Sequence, residues 1–205
     1  RSHHYPMNTL INIGGVDVFW DGKCLSWISG MQIDADGSPR AYAPNNKGLD
    51  YTANAGHPGN WYGIVTDKHG NPVIQGDGDP FPGFYVSPTA YQRPHFEVGN
   101  PRKYLDSEKI EYVVVPGKLR KMVPPIVLGC HCIVTNLKNG KNCVAVCGDV
   151  GPSNKIGEGS IALAHAIGIP FNARCGGIDE HCVKFELWPG VPASVNGESF
   201  QLQAA

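Results

Sequence analysis

Asp149 and Glu158 stand near the two ends of Gly148-Asp149-Val150-Gly151-Pro152-Ser153-Asn154-Lys155-Ile156-Gly157-Glu158-Gly159-Ser160. Two carboxyl groups held apart on a stiff frame can do paired acid and base work. One keeps a proton for a leaving oxygen while the other stays ionised and takes a proton from water. Across a sugar linkage this is the chemistry of a glycoside hydrolase, and an inverting enzyme holds its two groups ~6.5–9.5 Å apart. The intervening chain reaches that far with ease, since extended backbone covers ~3.3–3.6 Å per residue. The blander role for both residues is turn formation or helix capping, the common use of short polar side chains in glycine-rich segments.

The flanking residues read as strand, loop and helix. Residues 143–147 form a short valine-bearing apolar run, the pattern of a buried strand, and Asp149 closes it. Gly148, Gly151, Pro152, Gly157 and Gly159 force turns. Ser160 suits the N-cap of a helix whose alanine-rich body stops at Gly168 and Pro170. A dipole at that N-terminus favours an ionised Glu158, hence a base, whereas analogy with barrel-type lytic enzymes makes the same residue the acid. The assignment adopted is Glu158 as acid and Asp149 as base.

Gly148-Asp149-Val150-Gly151-Pro152, followed by Ile156-Gly157-Glu158-Gly159-Ser160-Ile161-Ala162-Leu163-Ala164, resembles the core signature of the fungal-type chitosanases of glycoside hydrolase family 75. Gln32 to Tyr42, Leu49-Asp50-Tyr51, Trp61-Tyr62-Gly63, Tyr104-Leu105-Asp106 and residues 110–116 are similar to further family blocks, so the resemblance covers most of residues 30–190. The resemblance implies that Asp149 and Glu158 are the essential pair, that the substrate is chitosan, and that cleavage is internal and needs no metal or cofactor. The Asp-to-Glu loop is shorter here than in the fungal members, and the cysteines differ. The glycan strand of peptidoglycan is therefore kept as a second substrate, which would suit a lytic effector acting in the periplasm and countered by an immunity or inhibitor protein. A catalytically silent carbohydrate-binding domain is the third reading.

Asp34, Asp36 and Asp50 are candidate further carboxylates of the cleft, and Tyr51, Trp61 and Tyr62 are candidate stacking faces for sugar rings. Asp34-x-Asp36-Gly37 also has the opening of a calcium loop, but the ligand series is not continued, and an Asx turn is the simpler expectation. Seven cysteines, Cys24, Cys130, Cys132, Cys143, Cys147, Cys175 and Cys182, leave an odd thiol however they pair. Disulfides, a Cys175–Cys182 loop closure among them, are expected in an oxidising compartment. The Cys-x-Cys and Cys-x3-Cys spacings match zinc knuckles poorly, and Cys147 lies too deep in an apolar run to be a nucleophile. The histidines have no triad spacing, and neither a nucleophile elbow nor a phosphate loop with its Lys is present.

A net charge of −1 over 205 residues gives no basic surface for nucleic acid. It also offers little to a polycation unless acidic side chains gather in one place. No apolar run is long enough for a membrane span and none reads as a signal peptide, yet the substrate class points to a secreted, extracellular protein. With 26 glycines and 17 prolines the chain turns often. Short strands between turns and one strong helix predict a single mainly β (α+β) domain over 1–205, a compact β-barrel with loop and helix insertions, and the Asp-loop-helix signature resembles the six-stranded double-psi-like barrels of lytic enzymes and some cellulases. Strands are expected at 10–13, 16–20, 31–33, 61–66, 73–75, 84–87, 110–115, 123–128, 130–136 and 183–188, a long functional loop at 42–59, and a partly ordered tail at 189–205.

Overall fold

The computed structural model describes residues 8–122 and 126–203. It is mainly β: a closed six-stranded barrel with a single short α-helix among the described residues. In chain order the strands are β1 (Asn8–Ile13), β2 (Val16–Trp20), β3 (Leu25–Asp34), β4 (Gly56–His57), β5 (Asn60–Trp61), β6 (Tyr112–Pro116), β7 (Cys130–Asn136), β8 (Asn142–Gly151) and β9 (Glu158–Ser160). Helix α1 (Ile161–Ala166), β10 (Ile178–Pro192), β11 (Ser194–Val195) and β12 (Glu198–Ser199) follow.

The main sheet runs β1-β2-β3-β10-β7-β8-β6-β9, and a further β3–β9 pairing closes the six strands β3-β10-β7-β8-β6-β9 into the barrel. The β1–β2 hairpin is an outward extension of β3. Two pairings, β3–β9 and β6–β8, are parallel, and the other barrel pairings are antiparallel. Closure removes the free edges that an open sheet would present.

The sequence explains which strands face both ways. In β7, Cys130, Cys132, Val134 and Asn136 are buried and the residues between them are partly exposed, the alternation of a half-buried strand. β6 is buried at every position, as its unbroken apolar run Tyr112-Val113-Val114-Val115-Pro116 requires. Trp27 and Phe185 are register partners on β3 and β10, stacked at 5.1 Å, and they plug the barrel interior. A smaller cluster of Ala35, Ala41, Tyr42, Ala55 and Ile64 packs under the loop at 42–59.

Several elements differ from the sequence expectation. The strand at 31–33 is the end of the ten-residue β3, and residues 143–151 continue as one strand through Asp149. Residues 62–66 form no strand beyond an isolated Thr66–Pro72 bridge; the segment is fixed by turn hydrogen bonds to Ala55 instead. The 123–128 strand lies partly outside the described residues. The expected tail is built in as far as residue 203: β10 continues to Pro192, β11 and β12 form a hairpin, Phe200 packs edge-on against Tyr91, and Gln203 bridges Leu128. Polar composition hid this, because the anchors there are only four buried residues, Pro189, Ala193, Val195 and Phe200. The seven cysteines are all free thiols, Cys175 and Cys182 included.

Candidate active site

Asp149 reaches solvent because of a bulge. Val113 pairs with Cys147, yet the next residue, Val114, pairs with Asp149, so Gly148 is the extra residue in β8. Were Gly148 paired in regular register, Asp149 would share the face of Cys147 and point into the core. The bulge turns the carboxylate to the other side. Only glycine fits at the bulge: a Cβ there would lie 2.8 Å from both Leu105 Cδ1 and Tyr112 Cβ. The Gly148 carbonyl accepts from Tyr91 N–H (3.0 Å), and Asp149 Oδ1 accepts from Ala90 N–H and Val150 N–H, both at 2.9 Å.

Glu158 is held by a strand rather than by the expected loop. β9 wedges between β3 and β6, pairing Glu158 with Gln32 on one side and with Val114 on the other. Two anchors flank it. Gly157 adopts φ +89°, packs its Cα onto Ser29 and Gly30, and accepts from Gln32 N–H at 2.9 Å. Ser160, fully buried, caps α1 by accepting from Leu163 N–H (3.1 Å), accepts from Tyr112 N–H (3.0 Å) and donates to the Ile110 carbonyl (2.7 Å).

Val114 is thus the register partner of both Asp149 and Glu158. Gln32, Glu158, Val114 and Asp149 form one row across four neighbouring strands and line one open cleft of about 970 Å³. Two strand spacings separate the two acids, which puts their Cα atoms roughly 9.5 Å apart.

Asp34 is the carboxylate that links the others. Its side chain meets that of Asp149, and carboxylate oxygens of Asp34, Asp36 and Asp149 all lie within 4.8 Å of one another. Asp34 Oδ1 accepts from Asp36 N–H at 2.8 Å, which is the expected Asx turn. Tyr42 donates its hydroxyl proton to Asp36 Oδ1 (2.7 Å), and Tyr112 donates to the Asp36 carbonyl (2.7 Å). Asp50 accepts from Tyr51 N–H (2.7 Å) and Asn54 Nδ2 (2.9 Å) at the far wall.

Burial raises every one of these carboxyl groups. Asp149 and Asp36 are pushed well above the ordinary carboxylate range, by burial first and by the charge of Asp34 second. Burial also raises Asp34, against hydrogen bonds from Asp149, Asp36 and Tyr112 that pull it back. Glu158 rises to about 8, again by burial and then by Asp34, with Lys155 opposing. The six-residue α1 contributes too short a dipole to reverse this, so Glu158 carries a proton at neutral pH. Asp34 and Asp149 touch, so the pair holds one proton and one negative charge over a wide range of pH.

The remaining sequence candidates separate. Asp34, Asp36, Asp50 and Tyr62 line the cleft with Asp149 and Glu158, and Tyr62 presents an exposed ring. Tyr51 stands outside it, with the Arg174 guanidinium 4.5 Å from its ring centroid, and Trp61 packs against the small cluster under the 42–59 loop. Asp179 lines the cleft without having been singled out from the sequence, and Tyr42, an aromatic of the same loops, lines it too. Among the described residues, no cysteine joins a group of three or more ligand atoms within 4.8 Å of one another; the Asp34, Asp36 and Asp149 oxygens alone do so.

No family model and no curated protein sequence matches this chain.

Proposed function

We propose that the chain is an endo-acting glycoside hydrolase of chitosan, a β-1,4-linked amino-sugar polymer, of the kind found in family 75. The observation that carries this reading is the row Asp149–Val114–Glu158, with a buried and a half-buried acid on either side of a shared valine and an open cleft above them. Glu158, protonated at neutral pH, donates its proton to the linkage oxygen as the C1–O bond breaks. The Asp34–Asp149 pair carries the negative charge that takes a proton from water as the water oxygen bonds to C1. One proton leaves Glu158 and one arrives at the pair, and the product anomer is inverted. Asp149 stands on the ten-residue β8, and the three-residue β9 that carries Glu158 is pinned between β3 and β6, which together supply the rigidity this geometry needs.

The charge of the cleft supports the choice of polymer. Six carboxyl groups line it, those of Asp34, Asp36, Asp50, Asp149, Glu158 and Asp179, against the single ammonium of Lys155. That is a third of the 18 acidic residues in a chain of net charge −1. A polymer of free ammonium groups gains from the negative charge that the Asp34–Asp149 pair holds and from donating to the remaining carboxyl oxygens, whereas a peptidoglycan strand would bring its lactyl carboxylates against like charge. A silent binding module has no use for carboxyl groups buried in mutual contact, which cost folding energy. No helix among the described residues is long and apolar enough to cross a membrane, and an extracellular site of action follows from the polymer rather than from the fold.

The test is release of reducing ends from chitosan and from purified peptidoglycan by the parent chain and by Asp149→Asn and Glu158→Gln. Release from chitosan that both substitutions remove is the expected result. Binding without release in the parent, or undiminished release in both variants, refutes the reading.

A further inference from the structure

The far wall of the cleft carries backbone strain, and one guanidinium grips it from behind. In Pro44-Asn45-Asn46-Lys47-Gly48 the chain turns so tightly that Asn45 and Asn46 both adopt left-handed backbone, at φ 62° and 59°. Asn tolerates that region better than other residues with a side chain, yet two in succession cost free energy that the surroundings must offset. Gly48 then presses onto the preceding strand of the loop, where a Cβ would lie 2.3 Å from the Ala41 carbonyl oxygen.

The turn is held from two sides. On one, the N–H groups of Leu49 and Asp50 donate to the Arg40 and Ala41 carbonyls at 2.9 and 3.1 Å, and Asn46 Oδ1 accepts from Thr52 N–H at 2.8 Å. On the other, Arg174 Nη2 donates to the carbonyls of Asn46 and Gly48, and the guanidinium lies over the Tyr51 ring. The segment that bears Arg174 is itself seated on the barrel. Gly177, at φ +89°, donates to the Pro170 carbonyl (2.7 Å) and packs so close to β3 that a Cβ would lie 2.6 Å from the Met31 carbonyl oxygen. One side chain therefore ties the strained turn to the strand that ends at Asp34.

Asp50 rides on this turn. Both its hydrogen bonds, from Tyr51 N–H and Asn54 Nδ2, fall on Oδ1; among the described residues Oδ2 has no partner, and the side chain lines the cleft. Arg174 stands behind the wall and does not line the cleft itself. Its charge also works against the burial that raises Asp50.

We infer that Arg174 is a positioning residue, which holds residues 46–51 in the geometry that lets Asp50 meet an amine of the bound sugar chain. This rests on the proposed hydrolase reading and adds a residue to it. Removing the guanidinium releases two carbonyls and the Tyr51 ring together, so the two asparagines relax and Asp50 drifts from the ligand. Asp149 and Glu158 stand on β8 and β9, which Arg174 does not touch, so binding suffers and bond cleavage does not. Lys in its place keeps the charge and a donor for the carbonyls but loses the flat face over Tyr51.

Steady-state kinetics on soluble glucosamine oligomers test this in the parent, Arg174→Ala, Arg174→Lys, Asp50→Asn and the Arg174→Ala/Asp50→Asn double variant. Arg174→Ala and Asp50→Asn are each expected to raise KM about tenfold with kcat held within about threefold, and Arg174→Lys to recover part of that loss. In the Asp50→Asn background Arg174→Ala should raise KM by no more than about twofold, because the two residues act as one. If Arg174→Ala does not fold, Arg174→Lys carries the same cycle. An unchanged KM in either single variant, a loss in kcat alone, or a KM rise that recurs in full without the Asp50 carboxylate overturns the inference and leaves the hydrolase reading standing. A parent without turnover overturns both.

Discussion

Strand β8 carries two buried clusters that have opposite fates. Up to Cys147 it contributes a thiol to the barrel core, opposite Cys130 and Cys132 on β7, all fully buried among apolar side chains. Past the Gly148 bulge it contributes a carboxylate to the cleft. The thiols are sealed from any opening: burial holds Cys132 well above its ordinary pKa, and hydrogen bonds from Cys132 and Cys147 pull Cys130 down to about 5, so whatever proton they share stays inside the core. Carboxyl groups buried a few ångströms away do not become neutral so cheaply. They share protons, shift one another and face an opening. One inserted glycine therefore marks the boundary between packing and chemistry on a single strand.

The sharpest way to break the comparison is on the carboxylate side. Asp149→Asn and Asp34→Asn should each cost 10²–10⁴ in kcat for chitosan cleavage, because the base is the pair and not one residue. A loss confined to Asp149→Asn would return Asp34 to a binding role. Gly148→Ala attacks the boundary itself. The methyl collides with Leu105 and Tyr112, and the expected cost is about 1–3 kcal/mol of stability in urea unfolding, with activity falling further than the stability alone explains. Retained activity would show that the bulge does not aim Asp149.

On the thiol side, Cys132→Ala should cost about 1 kcal/mol in the same unfolding experiment and leave turnover unchanged. The smallest expected effect concerns pH. Groups whose pKa is raised by folding bind protons more tightly in the folded chain, so they favour the fold in acid and oppose it as pH rises from about 4 toward 8. The melting temperature should therefore be a few degrees higher near pH ~5.5 than near pH ~7.5, and Asp149→Asn should narrow that gap. A gap that Asp149→Asn does not change would remove the buried pair as its source.

Much of this was legible in the residues. The valine runs, the Gly-Glu-Gly-Ser helix start and the turn-rich composition lead to a barrel with one short helix. They lead as well to Asp149 and Glu158. Register was not legible. A period-2 pattern cannot reveal that one glycine is skipped in pairing, so Asp149 read as the end of a strand rather than as a residue re-aimed within it. The three residues Glu158–Ser160 are too short for any periodicity, and their strand exists only because β3 and β6 lie on either side. Asp34 looked like one of three secondary carboxylates, and only barrel closure carries it to Asp149. Trp61 and Tyr51 were chosen as aromatics near the cleft, but an aromatic beside a loop packs inward or under a cation as readily as it faces a ligand.

The pH dependence of kcat/KM on soluble glucosamine oligomers, for the parent and for Glu158→Gln, tests the central claim most directly. The expected parent profile falls above a midpoint near 8, tenfold per further pH unit, as Glu158 loses the proton it must donate. Glu158→Gln should lose turnover by at least about 100-fold and lose that alkaline limb with it. A parent without turnover, or an alkaline limb that survives intact in Glu158→Gln, would contradict the account.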